Sequence, residues 1–447
     1  MKNSIDRSMI DTRRVDVIDG IRAISVIIVM VFHFWQQTWI FPFVRTPFLG
    51  WAGINVIDFS AFARVGYLFV DMMILISGFL LFLPVARNVF LFEPLPKWRE
   101  YFKRRAVRIL PSYLFCIILL FVYELMTGGY GDPINSSAAV RDLVLHLLFL
   151  HTWTVPTYLS TRLNVVLWTL AVEVWFYILF PLFASFIKRR KNERGLFGPI
   201  FRAAVTAIVM FGIAAVYIYA YVLRSGSVFS NGVDGIFAAV GSGIRSSYLA
   251  MVINQLPAFF GSYAIGLIGA FIYVAASKNT RRKWWTGAIG TVLSIVFIYV
   301  IVRMVKGCAS LTLENAQNWQ ITNRFTLAFA FMGFILSASF ASSWFRFLFS
   351  NPLMRFLSTR SYNLYIWHQW LCVKIKYDWR IPFWEGDIPP NQWGTSVGKT
   401  WSNKYALIIT IAAFAAAILV TFLIERPAAD LLNGRPSIYN GKLRKKQ

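Results

Sequence analysis

The feature that most constrains this chain is a series of apolar runs, most of them about 20 residues long, recurring from one end to the other. A helix rises 1.5 Å per residue, so such a run crosses the ~30 Å hydrocarbon layer of a bilayer. Runs of this kind fall near 19–40, 64–85, 107–127, 164–187, 200–223, 256–277, 284–305, 323–341, 361–377 and 404–424. The pattern predicts an all-α, polytopic integral membrane protein with about ten transmembrane helices in one bundle. The ninth run is short and reads as a tilted or partly re-entrant segment. Composition agrees: with 57% hydrophobic and 15% charged residues among 447, there is too little polar surface for a soluble globule and far too much apolar surface for a disordered chain. Cys116, Cys308 and Cys372 lack the spacing of a disulfide framework, a metal site or a redox pair.

Charge is the second constraint. Lys and Arg outnumber Asp and Glu by 45 to 20, a net +25. With the N-terminus inside, alternation of the spans puts most of the Lys and Arg in cytoplasmic loops, as the positive-inside rule requires. The clusters are Arg7, Arg13 and Arg14; residues 97–108; residues 188–194; residues 278–283; and the tail 442–446. Both termini are thus expected in the cytoplasm of a plasma or bacterial inner membrane. The expected organisation is a cytoplasmic segment 1–18, a transmembrane domain 19–427 and a basic tail 428–447, with no separate soluble domain. The first run follows a charged segment and lacks a small-residue cleavage site, so it reads as a retained helix. Basic groups scattered among loops do not form a nucleic-acid surface.

Ionisable side chains inside the spans each need a partner or a task, because burying one in hydrocarbon costs about 2.5–3.5 kcal/mol on insertion scales. The first span carries Arg22 and His33. Eleven residues advance a helix by roughly 16 Å and bring the two side chains close to one face. His33 is either a general base or a histidine bonded to a neighbouring helix. In the second span, Asp71 precedes Ser77 and Gly78 and must face the bundle interior or a wet cavity. Arg105 and Arg108, three apart at the start of the third span, either grip a phosphate or anchor lipid headgroups.

Glu173 lies deep in the fourth span, with Tyr177 four residues on and sharing its face, and Trp168 rotated away. It either makes a structural ion pair or orients a catalytic group. In the ninth run Tyr365 and His368 share a face, whereas His146 and His151 flank an apolar stretch at or beyond the outer interface. No histidine–carboxylate spacing suggests a metal. G-S-G at 241–243 follows no strand and is no nucleotide fingerprint. Trp153, Trp379, Trp384, Trp393 and Trp401 in the outer segments are either interfacial anchors or a sugar-stacking platform.

Taken in order, DGIRAISVIIVMVFH, SGFLL, RRAVRILPSY, WTLAVEVWFYILFP, SYNLYIWH and the final ERP at Glu425–Pro427 resemble the acyltransferase 3 family of integral membrane acyltransferases, from residue 18 to 427. The resemblance implies an enzyme that takes an acyl group, commonly acetyl, from cytoplasmic acyl-CoA and transfers it to a hydroxyl of a glycan or other acceptor on the outer side. It maps the family's basic residue and histidine onto Arg22 and His33, its R-x-x-R motif onto Arg105 and Arg108, its span-four acid onto Glu173, and its late tyrosine and histidine onto Tyr365 and His368. The chain departs from the family at Thr169 and at Glu173-Val174-Trp175. Some relatives carry a hydrolase-like C-terminal extracytoplasmic domain, and the sequence runs only shortly past its last span, so acceptor handling is expected of the membrane unit alone.

On this reading Arg105, Arg108 and Arg22 hold the coenzyme A phosphates and His33 is the general base. Glu173 polarises His33 or balances the arginines, and Tyr365 and His368 stabilise the oxyanion or the leaving thiolate. The competing reading is a transporter or flippase of a lipid-linked glycan, which needs no acyl donor.

Overall fold

The computed structural model describes residues 15–40, 42–53, 55–159, 161–193, 195–219, 251–279, 284–385 and 396–433. Among them are ten long helices: α1 (Val17–Thr38), α2 (Leu68–Leu91), α3 (Trp98–Met126), α4 (Trp168–Ile187), α5 (Phe197–Ile218), α6 (Leu256–Asn279), α7 (Trp284–Ala309), α8 (Leu313–Phe340), α9 (Pro352–Val373) and α10 (Ser396–Val420). Nine of the ten are long and apolar enough to cross a bilayer, and α9 is the exception among the described residues. The chain is a multi-pass membrane protein. Helix α9 has 22 residues and the length to span, but Arg355, Arg360, Asn363, His368 and Gln369 make it polar. It also starts at Pro352, well before the apolar run expected at 361–377. Helix α8 likewise starts early, at Leu313, because the Thr312 hydroxyl caps it by accepting from the Asn315 amide and its first turns are polar. Between α1 and α2 lies a two-stranded hairpin, β1 (Phe43–Arg45) and β2 (Val56–Asp58), with Val44 opposite Ile57. Trp393, the 241–243 glycines and the basic residues of both termini lie outside the described residues.

The chain divides into two compact units, the first comprising Met1–Leu95 and Val172–Thr359. Helices α2 and α6 pack backbone to backbone in it. A Cβ placed on Gly266 would stand 2.7 Å from the Phe79 amide nitrogen, and one on Gly78 would stand 2.9 Å from the Tyr263 ring. Only glycine permits that approach, and it lets dispersion contacts replace the hydrophobic drive that lipid does not supply. The aspartate of α2 finds its partner by long-range packing: Arg324 Nε lies 3.1 Å from Asp71 Oδ1, and Gln320 Nε2 donates to Asp71 Oδ2 at 3.1 Å. Arg324 also donates to the Ile253 carbonyl at 2.7 Å and lies over the Phe259 ring. The pair is almost wholly buried, so this cluster is a pin between α2 and α8. Ser294 and Ser337 join α7 to α8 at 3.1 Å in the same way.

The second unit comprises Pro96–Ala171 and Arg360–Gln447. Helix α3 meets α9, with Tyr362 donating to the Ile109 carbonyl at 2.9 Å, and α10 meets α9, with Tyr405 donating to the Cys372 carbonyl at 2.6 Å. Two wide π-helical turns interrupt this unit, at Lys374–Asp378 and Thr421–Glu425. Such turns leave backbone and side chains displaced from the regular ladder and often mark functional positions. A short helix, Ser136–Leu147, is tied down by Asp142, which accepts from the Tyr130 hydroxyl at 3.0 Å, the Thr161 hydroxyl at 2.9 Å and the Arg162 amide at 3.0 Å.

Candidate active site

In the first unit, Arg22 and His33 are half-buried on α1, and each makes contacts with other groups. The His33 ring sits 5.0 Å from Phe32, itself edge-on to Tyr67. Glu173 is held from two sides: Ser77 Oγ donates to Oε1 at 2.7 Å and the Tyr177 hydroxyl donates to Oε2 at 2.9 Å. The i, i+4 spacing already paired Glu173 with Tyr177. Ser77, in contrast, is 96 residues away and enters only through folding. Among the described residues no cation pairs with Glu173, so the carboxylate is fixed by hydroxyls and not by an ion pair.

The second unit holds Arg105, Arg108, Tyr365 and His368. Arg105 is half-buried beside the Tyr101 ring, and Arg108 is exposed on the same helix face. Two further arginines join Arg108 near Glu425, in the second π turn. Arg108 and Arg426 both act electrostatically on Glu425, and Arg360 lies within the field of Arg426 and Glu425. Arg426 and Arg360 both face the Phe422 ring, at 4.1 and 5.6 Å. The single acid is clamped: Asn363 Nδ2 donates to Glu425 Oε2 at 2.6 Å and to Thr421 Oγ1 at 2.8 Å. A carboxylate so occupied leaves a net positive arginine cluster, which suits a multiply anionic ligand.

Tyr365 and His368 are both buried. Their rings are 5.7 Å apart, and the Tyr365 hydroxyl faces the Val166 carbonyl at 3.4 Å. His368 Nδ1 lies 3.0 Å from the Leu364 carbonyl. A carbonyl only accepts, so Nδ1 carries the proton and Nε2 presents its lone pair. His146 and His151 are not surface groups. Their rings stack 4.1 Å apart at an interplanar angle of 5°, and both are buried. His146 Nδ1 is held 2.7 Å from the Asp142 carbonyl. Burial pushes both imidazoles below their ordinary range; Asp142 partly offsets this for His146, while His146 adds to it for His151. Sequence spacing gave no sign of this pair, because a loop turn rather than a helix face brings the rings together. Among the described residues no three His, Cys, Asp or Glu side chains converge as a metal-ligand set.

An acyltransferase 3 domain matches residues 15–426. The chain belongs to the acyltransferase 3 family. Similar curated proteins include "Putative O-acetyltransferase SACOL0978" of Staphylococcus aureus (strain COL), 24% identical over 372 residues, which are 80% of this chain and 50% of the relative. O-acetyltransferase OatA of Staphylococcus aureus (strain NCTC 8325 / PS 47) is 24% identical over 374 residues, covering 80% of this chain and 51% of the relative. The chain thus spans about half the length of the curated relatives it matches. No solved structure matches it. For an acyltransferase 3 protein the division of residues is informative. Arg22, His33 and Glu173 belong to the first unit, while Arg105, Arg108, Tyr365 and His368 belong to the second.

Proposed function

We propose that this protein is a transmembrane O-acyltransferase that moves an acetyl group from cytoplasmic acyl-CoA to a hydroxyl of an extracytoplasmic acceptor, a cell-surface carbohydrate. The observation that carries this reading is the acyltransferase 3 match across nearly the whole chain, in apolar helices that nonetheless retain a histidine and a hydroxyl-fixed carboxylate. The names of the relatives supply the acetyl group and the oxygen acceptor as the working choice. The reading puts both termini in the cytoplasm, with residues 1–18 and 428–447 flanking the transmembrane domain.

The chemistry follows from the residues. Coenzyme A is a multiply charged anion, and Arg105 and Arg108, with Arg360 and Arg426 beside them, have the charge and the planar donors to bind phosphate. Arg22 is a further cation for the donor. His33, as neutral imidazole, removes the proton of the acceptor hydroxyl while its oxygen attacks the thioester carbonyl carbon. The tetrahedral adduct collapses by breaking the carbon–sulfur bond, and the imidazolium returns its proton to the leaving thiolate. Glu173, set by Ser77 and Tyr177, stabilises positive charge on the imidazole or the arginines. Tyr365 and His368 are assigned to the oxyanion or the thiolate.

The test uses protein in lipid nanodiscs and radiolabelled acetyl-CoA, together with mass spectrometry of cell-surface glycans from cells carrying the native or His33→Ala protein. Loss of an acyl increment with His33→Ala supports the reading. Unchanged glycan acylation by a folded His33→Ala protein rejects His33 as base, and failure of the native protein to bind coenzyme A in calorimetry turns the assignment toward a glycan transporter.

A further inference from the structure

The second unit contains an aromatic and charged cluster that the transfer chemistry leaves unused. Trp367, Trp370 and Lys374 fall on one face of α9 and its π turn, at i, i+3 and i+7. The Trp370 ring meets Tyr123 of α3 edge-on at 5.3 Å and Trp379 at 6.1 Å. Trp379 Nε1 donates to the Tyr123 hydroxyl at 3.1 Å, and its indole is 43% exposed, so one ring face is open. Lys374 Nζ lies 2.7 Å from Glu124 Oε1 and 2.8 Å from Asp378 Oδ2, above the Tyr123 ring.

Two features separate this cluster from an ordinary interfacial belt. An interfacial tryptophan turns its N–H toward water or headgroups. Here the indole nitrogens of Trp367 and Trp370 are buried and have no hydrogen-bond partner, nor does the buried Gln369 Oε1. Buried donors and acceptors of this kind are strongly disfavoured unless something polar meets them. In addition, a belt needs no buried acid, yet Glu124 is almost fully buried at the end of α3 and is held by Lys374.

We propose that Tyr123, Trp370 and Trp379, with the Lys374–Glu124 pair, form a carbohydrate subsite that holds a neutral pyranose of the acceptor. A pyranose presents a flat C–H face to an aromatic ring. Its rim of hydroxyls and ring oxygen accepts from indole N–H and ammonium and donates to carboxylate. The exposed Trp379 face supplies the stacking surface, Trp370 Nε1 and Lys374 supply donors, and Glu124 and Asp378 supply acceptors. The π turn at Lys374–Asp378 ends at Trp379, whose amide donates to the Lys374 carbonyl at 2.9 Å. This inference rests on the reading of the chain as an O-acyltransferase with a glycan acceptor, and names which residues meet the sugar.

The experiment is saturation-transfer-difference NMR, with titration, of chitotetraose, maltotetraose and galactotetraose against the full chain in phosphatidylcholine nanodiscs. Maltoside detergents are avoided because they carry a sugar. Coenzyme A binding is measured on the same samples. The expected result is transfer to the pyranose C–H protons in the native protein. Affinity should fall about tenfold in Trp379→Ala and about fivefold in Trp370→Phe, which keeps a ring but loses the N–H, with coenzyme A affinity unchanged in both. Native protein that binds coenzyme A but none of the three saccharides overturns the subsite and leaves the donor assignment standing. Saccharide binding indifferent to both substitutions also overturns it. Tryptophan-dependent saccharide binding without coenzyme A binding upholds the subsite and overturns the acyl-CoA reading.

Discussion

Ser77 of α2 donates its hydroxyl to Glu173 of α4 at 2.7 Å, and the carboxylate's other oxygen is taken by Tyr177 at 2.9 Å. The most conspicuous acid in the apolar spans is therefore a fixed group with both oxygens committed to hydroxyl donors.

Ser77→Ala removes one of the two donors and leaves a half-buried carboxylate oxygen unpaired. A loss of about 1–3 kcal/mol is expected, read as a lower melting midpoint in nanodiscs. Glu173→Gln retains the shape and removes the charge. It is expected to lower kcat for acyl transfer by at least ~tenfold with a smaller effect on melting; an unaltered kcat with reduced melting would leave Glu173 a structural role only.

Asp71 and Arg324 form a buried pair that cannot lose one member cheaply. Arg324→Met strands the aspartate and the Ile253 carbonyl, and should destabilise by about 3–5 kcal/mol. The double variant Asp71→Leu, Arg324→Met should recover most of that loss, because apolar side chains of similar bulk need no partner. Thermal melting of the two variants side by side measures the difference.

Arg105→Gln combined with Arg108→Gln is expected to raise KM for acyl-CoA about tenfold and to leave KM for the acceptor nearly unchanged. Adding Arg360→Gln or Arg426→Gln should raise the donor KM again. The salt dependence of donor KM should weaken with each cation removed. Equal changes in both KM values would identify the arginines as structural.

His146 and His151 set an acid limit on stability. Their folded values lie below the ordinary imidazole value of 6.5 because burial disfavours the charged rings. Below about pH 6.5 the unfolded chain therefore binds protons that the folded one refuses. Stability is full above that pH and falls as the pH drops toward the folded values. His151→Phe keeps a stacked ring without a titrating nitrogen. The variant should lose less stability than the native protein between about pH 7 and pH 5, as read by melting midpoints across that range.

What could be read from the sequence divides by range. The apolar helices were legible because a span is defined by its own twenty or so residues. The tie of Tyr177 to Glu173 was legible because helical spacing is local. Arg324 was not, since it stands 253 residues from Asp71 at the polar edge of a span, and nothing nearby in sequence marks it as a partner. Arg360 and Arg426 joined Arg108 only once α9 and the second π turn were packed on α3. Helix α9 was underestimated because an apolar scan stops at Arg360, whereas a helix continues wherever its backbone can. The stack of His146 on His151 was not legible either, because a turn beyond the helix, and not helical spacing, brings the two rings together.

The glycine contact between α2 and α6 has a mechanical consequence. With Gly266 against the Phe79 amide and Gly78 against Tyr263, these two helices share a seam too tight to admit a methyl group, let alone a solute. Sliding them past one another would drive side chains through main chain. They form a weld rather than a hinge, so within the first unit any opening and closing during turnover must be carried by other helix pairs, moving against α2 and α6 as a single rigid strut.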